Sequence, residues 1–281
     1  VKATDERDVC GGTVPISYTT ITRKGRQAVD AGVIEERLVS FFVNGQELLT
    51  SMATPCQQDA HALGFLANEG IIHSMDDVRT VHVCPGSSCV DVWLAYADFE
   101  PPGRVIVTSG CGGGVTFNDP STTFEPLKSE MRVTPERLWE MMDQLHKSAV
   151  LYNRAGGVHA SGLGDGKQLL LTAEDVGRHN TLDKLRGLAL QANIDTRDCV
   201  ILTTGRISSE MIGKARRMGV PIVCSHTSPT SLSIGLADKW NITLIGYLRR
   251  NSMNLYTHPE RIQPEETVAS PDGRQRRTPN V

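Results

Sequence analysis

The chain has no stretch of about 18 apolar residues, the length a helix needs to cross a bilayer. Its first residues, VKATDERDVCGG, lack the charged-then-apolar layout of a secretory leader. Both absences point to a cytoplasmic protein with no membrane partner. Basic charge is not in excess either: 29 Lys and Arg stand against 32 Asp and Glu, a formal net charge of −3 with a pI near 6.3. That leaves no overall drive toward nucleic acid, so an anionic ligand has to be met by a local cluster. The seven cysteines (10, 56, 84, 89, 111, 199 and 224) are odd in number and widely spread, in a chain of 281 residues that needs no covalent staples. Reduced thiols are the expectation. Zinc spacing is missing too. His82, Cys84 and Cys89 form H-x-C-x4-C, but no C-x-x-C or H-x-x-x-H pair completes a ligand set, and a thiol pair between strands is favoured over a metal site.

What is present begins with 39% apolar residues, enough for a substantial core in one large domain or two ordinary ones. Residues 1–30 are polar, and HPERIQPEETVASPDGRQRRTPNV from about 258 is rich in proline and charge; both read as flexible tails. In EERLVSFFVNGQELLTSMATP, two apolar runs flank Asn44-Gly45, the strongest short signal for a tight hairpin. Ala62, Phe65, Leu66 and Ile71, at roughly helical spacing before and after a stop at Gly70, predict a short helix, and VRTVHV, VDVWLAYA and RVIVT predict strands. This makes a β-rich N-terminal domain over 31–130. In the second half, over 131–257, Thr134 and Pro135 predict a helix start, with Leu138, Met141, Met142, Leu145 and Ala149 on one apolar face. GGVHASGL and KQLLLTA predict a strand pair. Helices over Val176 to Gln191, Ser209 to Met218 and Pro229 to Lys239 then alternate with strands over Cys199 to Thr204, Pro221 to Cys224 and Ile242 to Leu248. This rhythm predicts a three-layer α/β domain.

In such a domain the loops after the strands share one edge, where helix N-termini offer free N–H groups to anions. Three loops there have unusual composition: AEDVGRHN, with Arg178 and His179; TTGRISSE, with Gly205 and Arg206; and CSHTSPT, with Ser225 and Thr227. One reading takes Asp175, Ser208 and Ser228 as helix caps, Arg178 and Arg206 as solvated charges and His179 as a packing residue. The other takes the three loops together as an anion or nucleotide site. Cys199 and Cys224 open and close apolar strands, and packing explains both. Cys111, in SGCGGGVTF, has no bulky neighbour to pack against, and its glycines allow backbone N–H groups to turn toward a thiolate. It is a candidate reactive thiol, the alternative being a tight turn with an incidental cysteine. A C-x5-R phosphatase loop fails because Phe117 stands at the arginine position.

Together the strings EERLVSFFVNG, ALGFLANEGII, SGCGGG, GGVHASGL, EDVGRHNTLDKL, TTGRISSEMIGKA, SHTSPTSLSIGLA and GYLRRNSMNLYTHPERI resemble the FdhD/NarQ family of formate dehydrogenase accessory sulfurtransferases, from about Glu35 to Arg261. The resemblance implies a cytidine-deaminase-like C-terminal domain and a homodimer. It also implies a role: sulfur is taken as a persulfide on Cys111 from a cysteine desulfurase and passed to the molybdenum bis(molybdopterin guanine dinucleotide) cofactor of formate dehydrogenase. Guanine nucleotides would mimic that cofactor. Tyr247, Leu248, Arg249, Arg250, Asn251 and Ser252 match the family's nucleotide-recognition segment, with Tyr247 able to stack on guanine and the arginines able to meet phosphate. Arg178, His179, Gly205, Arg206, Ser225 and Thr227 complete the expected cofactor contacts. The family's C-x-x-C is broken here, because Gly114 replaces the second cysteine. A second thiol could expel carried sulfur as sulfide; without it, Cys111 releases sulfur directly or borrows a thiol elsewhere. The rival role is a chaperone that escorts the cofactor and carries no sulfur. Deamination is disfavoured, and no catalytic zinc is expected, because GRHNT and TTGRISSEM lack the H-x-E and P-C-x-x-C ligands.

Overall fold

The computed structural model describes residues 11–86, 88–103, 106–107, 115–117 and 124–263. Strands β1 (Thr13–Thr22) and β2 (Gly25–Ile34) form an antiparallel hairpin where the composition predicts a polar tail. The alternation Val14, Ile16, Tyr18 is present in the sequence, but all three side chains stay exposed. A ribbon wet on both faces carries no core-facing stripe, and its polar content then reads as disorder.

β3 (Arg37–Val43) and β4 (Gln46–Ala53) turn at Asn44 and Gly45, whose φ values of 52° and 78° are the positive pair that a tight I′ hairpin turn requires. Helix α1 (Gln58–Asn68) follows, then β5 (Val78–Val83) and β6 (Cys89–Leu94), giving a four-stranded sheet ordered β4-β3-β6-β5. Phe41, Val43, Val90 and Val92 of this sheet pack on Leu63, Phe65 and Leu66 of α1. Cys84 and Cys89 close the β5–β6 turn as a disulfide, which corrects the expectation of reduced thiols there. Their Cα atoms are 5.3 Å apart, within bridging range, because antiparallel pairing brings the two strand ends together. The bridge also occupies both sulfurs of the H-x-C-x4-C spacing. Cys199 and Cys224 are free and buried, Cys224 within a strand and Cys199 immediately before one, as packing predicts. β7 (Ile106–Val107) and β8 (Val115–Thr116) form a short ribbon.

α2 (Pro135–Ser148) starts as the sequence predicts: Thr134 accepts a hydrogen bond from the Arg137 N–H at 3.3 Å, and Pro135 takes the first position. After it come α3 (Val150–Ala155), β9 (His159–Gly164), β10 (Leu169–Asp175), α4 (Arg178–Gln191), β11 (Val200–Thr203), α5 (Ser209–Arg217), β12 (Ile222–Ser225), α6 (Ser231–Lys239), β13 (Thr243–Arg249) and β14 (Ser252–Thr257). Their sheet runs β10-β9-β11-β12-β13-β14, with β11, β12 and β13 parallel. Alternate residues serve opposite layers. Val200, Leu202, Ile222 and Cys224 meet Leu138, Met141 and Leu145 of α2, while Ile201, Val223 and Leu244 meet Leu182, Leu185, Met211 and Ile212 of α4 and α5.

Near the C-terminus two further segments depart from the sequence reading. β14 pairs with β13 beyond the last expected strand. Residues 258–263, expected as the start of a tail, are tied to the body: Ile262 bridges Val133, and buried Arg261 donates to the Thr243 hydroxyl at 3.2 Å. The Ile262–Val133 bridge joins residues far apart in sequence, which local composition does not reveal. The N-terminal sheet joins this body through α1, which crosses α4 at backbone contact. A Cβ on Gly64 would sit 1.7 Å from the Asp183 carbonyl oxygen, and one on Gly187 1.8 Å from that of Ala60. Among the described residues, no helix is long and apolar enough to cross a membrane.

Candidate functional site

β10, β11, β12 and β13 all run in one direction, since β9 lies antiparallel between β10 and β11. The three loops singled out in the sequence therefore lie along one sheet edge. Asp175, at the end of β10, is no helix cap. It is fully buried, accepts from the Gly177 N–H and the Asn180 amide (both 2.8 Å) and the Thr54 N–H (3.1 Å), and pairs with buried Lys184 at 2.6 Å. Removing one partner of such a pair costs about 3–5 kcal/mol, because the other charge stays buried. Asp175 thus shapes the loop that presents Arg178.

Arg178 is buried against the β11 loop, and a Cβ on Gly205 would lie 2.9 Å from the Arg178 Cβ. Only glycine lets these two loops meet so closely. The Gly205 carbonyl accepts from the Ser225 hydroxyl at 2.7 Å, and the same hydroxyl oxygen accepts from the Thr227 N–H at 2.9 Å. The Thr227 carbonyl then accepts from the N–H of Tyr247, which sits at φ 51°. Arg178, Gly205, Ser225, Thr227 and Tyr247 are therefore one connected cluster. Arg206 projects exposed beside it. His159, at the start of β9 opposite Asp175, joins this cluster without having been singled out, although it lies within GGVHASGL. Burial, aided by the charge of Arg178, lowers its pKa.

His179 is held inside. Its Nε2 lies 2.9 Å from the Ser208 hydroxyl and its Nδ1 3.4 Å from a Glu210 oxygen, and burial lowers its pKa to about 4 despite the opposing pull of Glu210. Ser208 also caps α5 through the Met211 N–H, whereas α6 is capped by Thr230 and not by Ser228. Deeper still, Lys214 of α5 donates to Asp183 of α4 at 2.6 Å, and Asn68 of α1 donates to the same carboxylate at 2.7 Å. Burial pushes the Asp183 carboxyl up to about 6 against these stabilising contacts.

The Tyr247–Ser252 segment forms the β13–β14 hairpin. Leu248 is buried, Arg249, Arg250, Asn251 and Ser252 are exposed, and the Arg249 guanidinium lies 5.6 Å over the Tyr247 ring. Between this hairpin and α2 opens a cleft of about 560 Å³, lined in part by Trp139, His146, His226, Leu248, Arg249 and Arg250. The rings of His146 and His226 meet edge to face at 5.4 Å, and burial lowers the His146 pKa. Trp139 Nε1 and His226 Nδ1 are buried atoms with no hydrogen-bond partner. Orphaned polar atoms in a cleft are what a planar, hydrogen-bonding ligand would satisfy. The sequence offers no signal for Trp139 or His146, which lie beside the apolar stripe of an ordinary amphipathic helix, both half-buried.

Cys111 and Gly114 lie outside the described residues. The chain after them is anchored at Glu69, the C-terminal cap of α1, which accepts from the Thr116 hydroxyl at 3.0 Å and the Phe117 N–H at 2.8 Å. The Phe117 ring packs edge-on against Phe65, with ring centroids 5.8 Å apart.

Comparison with known proteins agrees with this arrangement. The chain is similar to the sulfur carrier protein FdhD of Wolinella succinogenes, with 36% identity over 258 residues covering 88% of this chain and 89% of that one. It is similar to the protein of the same name from Bacillus subtilis, with 36% identity over 240 residues covering 82% and 92%. Its fold matches a crystal structure described as that of "a putative formate dehydrogenase accessory protein from Desulfotalea psychrophila", with a TM-score of 0.76 and 28% identity over 90% of this chain and 100% of that one. The model of the FdhD/NarQ family matches residues 34–263, and with these relatives it establishes that the chain belongs to the FdhD/NarQ family.

Proposed function

We propose that this protein is a sulfur carrier in the maturation of formate dehydrogenase. Cys111 receives sulfur from a cysteine desulfurase and passes it to the molybdenum bis(molybdopterin guanine dinucleotide) cofactor. In the loading step the Cys111 thiolate attacks the outer sulfur of the donor's persulfide. The donor's S–S bond breaks, a new S–S bond forms on Cys111, and the donor cysteine leaves as a thiolate, so no external oxidant is needed. In the delivery step the S–S bond on Cys111 breaks, its outer sulfur goes to the molybdenum of the substrate cofactor, which is oxidised by two electrons as that sulfur reaches the sulfide level, and Cys111 leaves as the thiolate, with Gly114 leaving no neighbouring thiol in the motif to divert the sulfur.

The cofactor is the substrate. Its guanine end enters the cleft beside the β13–β14 hairpin, where Trp139 Nε1 and His226 Nδ1 meet polar edges and Arg249 and Arg250 meet phosphate. Arg178, Arg206 and the Ser225–Thr227 turn line the adjoining edge for the pyrophosphate. The three-layer sheet is read as the cytidine-deaminase-like arrangement, and the working unit as a cytoplasmic homodimer.

The observation that carries the reading is the convergence of the β10, β11 and β12 loops with the Tyr247–Ser252 hairpin through the Thr227–Tyr247 hydrogen bond, together with the relatives' name, sulfur carrier protein FdhD. The test is mass spectrometry after incubation with a cysteine desulfurase and cysteine. One reducible sulfur atom is expected on the Cys111 peptide, absent in Cys111→Ala. Normal cofactor activation by Cys111→Ala would overturn sulfur carriage and leave the escorting chaperone in its place.

A further inference from the structure

At the opposite edge of the six-stranded sheet, where α4 and α5 end and β11 and β12 begin, a cleft of about 760 Å³ opens with strongly basic walls. Arg186, Arg197, Arg216, Arg217 and Lys128 line it, against Asp195 and Asp198. Asp195 is already matched by Arg197, at 3.0 and 2.6 Å, and Asp198 accepts from the Ser129 hydroxyl. Arg186, Arg216, Arg217 and Lys128 make no ion pair among the described residues.

Their remaining contacts leave charge to spare. Arg186 donates from Nη1 to the Thr196 hydroxyl at 3.1 Å, but its buried Nε has no partner. Arg216 donates to the Glu125 carbonyl, and Arg217 lies 5.0 Å over the Phe124 ring. Burial works against all three guanidinium charges. They stay charged nonetheless, so an entering anion offsets a desolvation cost already present. Leu190 and Ile194 add apolar surface.

The location narrows the choice of anion. Described residues that follow Cys111 in sequence are tied to the basic side chains of this cleft. Thr116 and Phe117 are held by Glu69, whose carboxylate acts on Arg217, and Phe124, farther along the chain, sits under Arg216 and Arg217. The described chain nearest Cys111 on its C-terminal side is thus tied, through Glu69, to Arg217 of this cleft. We propose that the basic cleft docks an acidic segment of the protein that supplies the sulfur. The proposal rests on the sulfur-carrier reading above and adds the surface and charge by which the donor is held. An extended segment with alternating acidic and apolar side chains fits both the cationic walls and the Leu190–Ile194 surface.

The experiment loads the full chain and its Lys128→Glu/Arg217→Gln variant by two routes, from a cysteine desulfurase with cysteine and from glutathione persulfide, and follows the Cys111 peptide by mass spectrometry. Charge reversal should slow loading from the desulfurase by roughly tenfold or more, the range of electrostatically steered association, and added salt should slow the wild type in the same way. Loading from glutathione persulfide should be unchanged, which reports an intact fold and thiol. Equal desulfurase rates in wild type and variant overturn the proposal. So does inorganic phosphate binding that the variant loses without change in desulfurase loading, which reassigns the cleft to a small anion. If wild-type Cys111 takes sulfur by neither route, the sulfur-carrier reading itself fails, an outcome distinct from both.

Discussion

His179 is a histidine that the sequence offers to a phosphate and that burial redirects. Its ring is enclosed between α4 and α5 with Ser208 on one nitrogen and Glu210 on the other, and its pKa falls from 6.5 to about 4. In the unfolded chain the ring titrates near 6.5, so between that value and about 4 the unfolded state binds a proton that the folded state refuses. The stability this neutral ring contributes is present above pH 6.5 and is lost as the pH falls through the window. His61, His146 and His159 are also lowered, so the wild type loses more than one histidine's share. His179→Gln keeps a hydrogen-bonding side chain and removes the titration. Urea unfolding at pH 7.5 and 4.5 should show a pH-dependent loss smaller in the variant by on the order of 2–3 kcal/mol. An unchanged loss would mean that the imidazole is hydrated and free to protonate in the folded state.

The same contrast between local and long-range information decides which elements can be read in advance. Asn44-Gly45 and Thr134-Pro135 are legible because a turn or a cap is written within four consecutive residues. β1, β2 and β14 pair within local hairpins, but as largely exposed strands they carry no core-facing apolar stripe to mark them. The docking of residues 258–263 is not legible, because Ile262 meets Val133 far away in sequence. The α1–α4 crossing is the clearest case. Gly64 and Gly187 each sit inside a helix, where glycine costs about 1 kcal/mol relative to alanine. They are required only because each faces a carbonyl oxygen of the other helix at a distance no Cβ can occupy. Gly187→Ala should therefore reverse the usual helix-stabilising effect and destabilise the protein by about 3 kcal/mol or more, since relief means separating the two helices. Thermal unfolding followed by circular dichroism measures it. A neutral or stabilised variant would mean that the helices sit farther apart.

At the scale of the whole molecule, the candidate site was legible in composition and illegible in shape. Arg178, Gly205, Ser225 and Thr227 stand out as three unusual loops at strand ends, and the alternation of strand and helix is enough to bring those loops to one edge. The other wall of the cleft comes from Trp139 and His146 on α2, in a different layer of the sandwich. Only the packing of α2 across the sheet brings them to the hairpin.

That cross-layer assembly yields a prediction of its own. A ligand that bridges α2 and the β13–β14 hairpin binds the folded chain alone, so it must raise the unfolding temperature. At a guanosine diphosphate concentration of about 100 times Kd the gain is about 2.7 kcal/mol, worth roughly 5–10 °C for a chain of this size class. Arg249→Ala/Arg250→Ala should abolish the shift by removing the phosphate contacts. Trp139→Phe, which deletes only the indole N–H and keeps most of the packing, should reduce it and should erode any preference for guanosine over adenosine diphosphate. Differential scanning fluorimetry with both nucleotides distinguishes the cases. A shift equal for the two nucleotides and untouched by all of these substitutions would place the nucleotide elsewhere and remove the cleft from the proposed route of the cofactor.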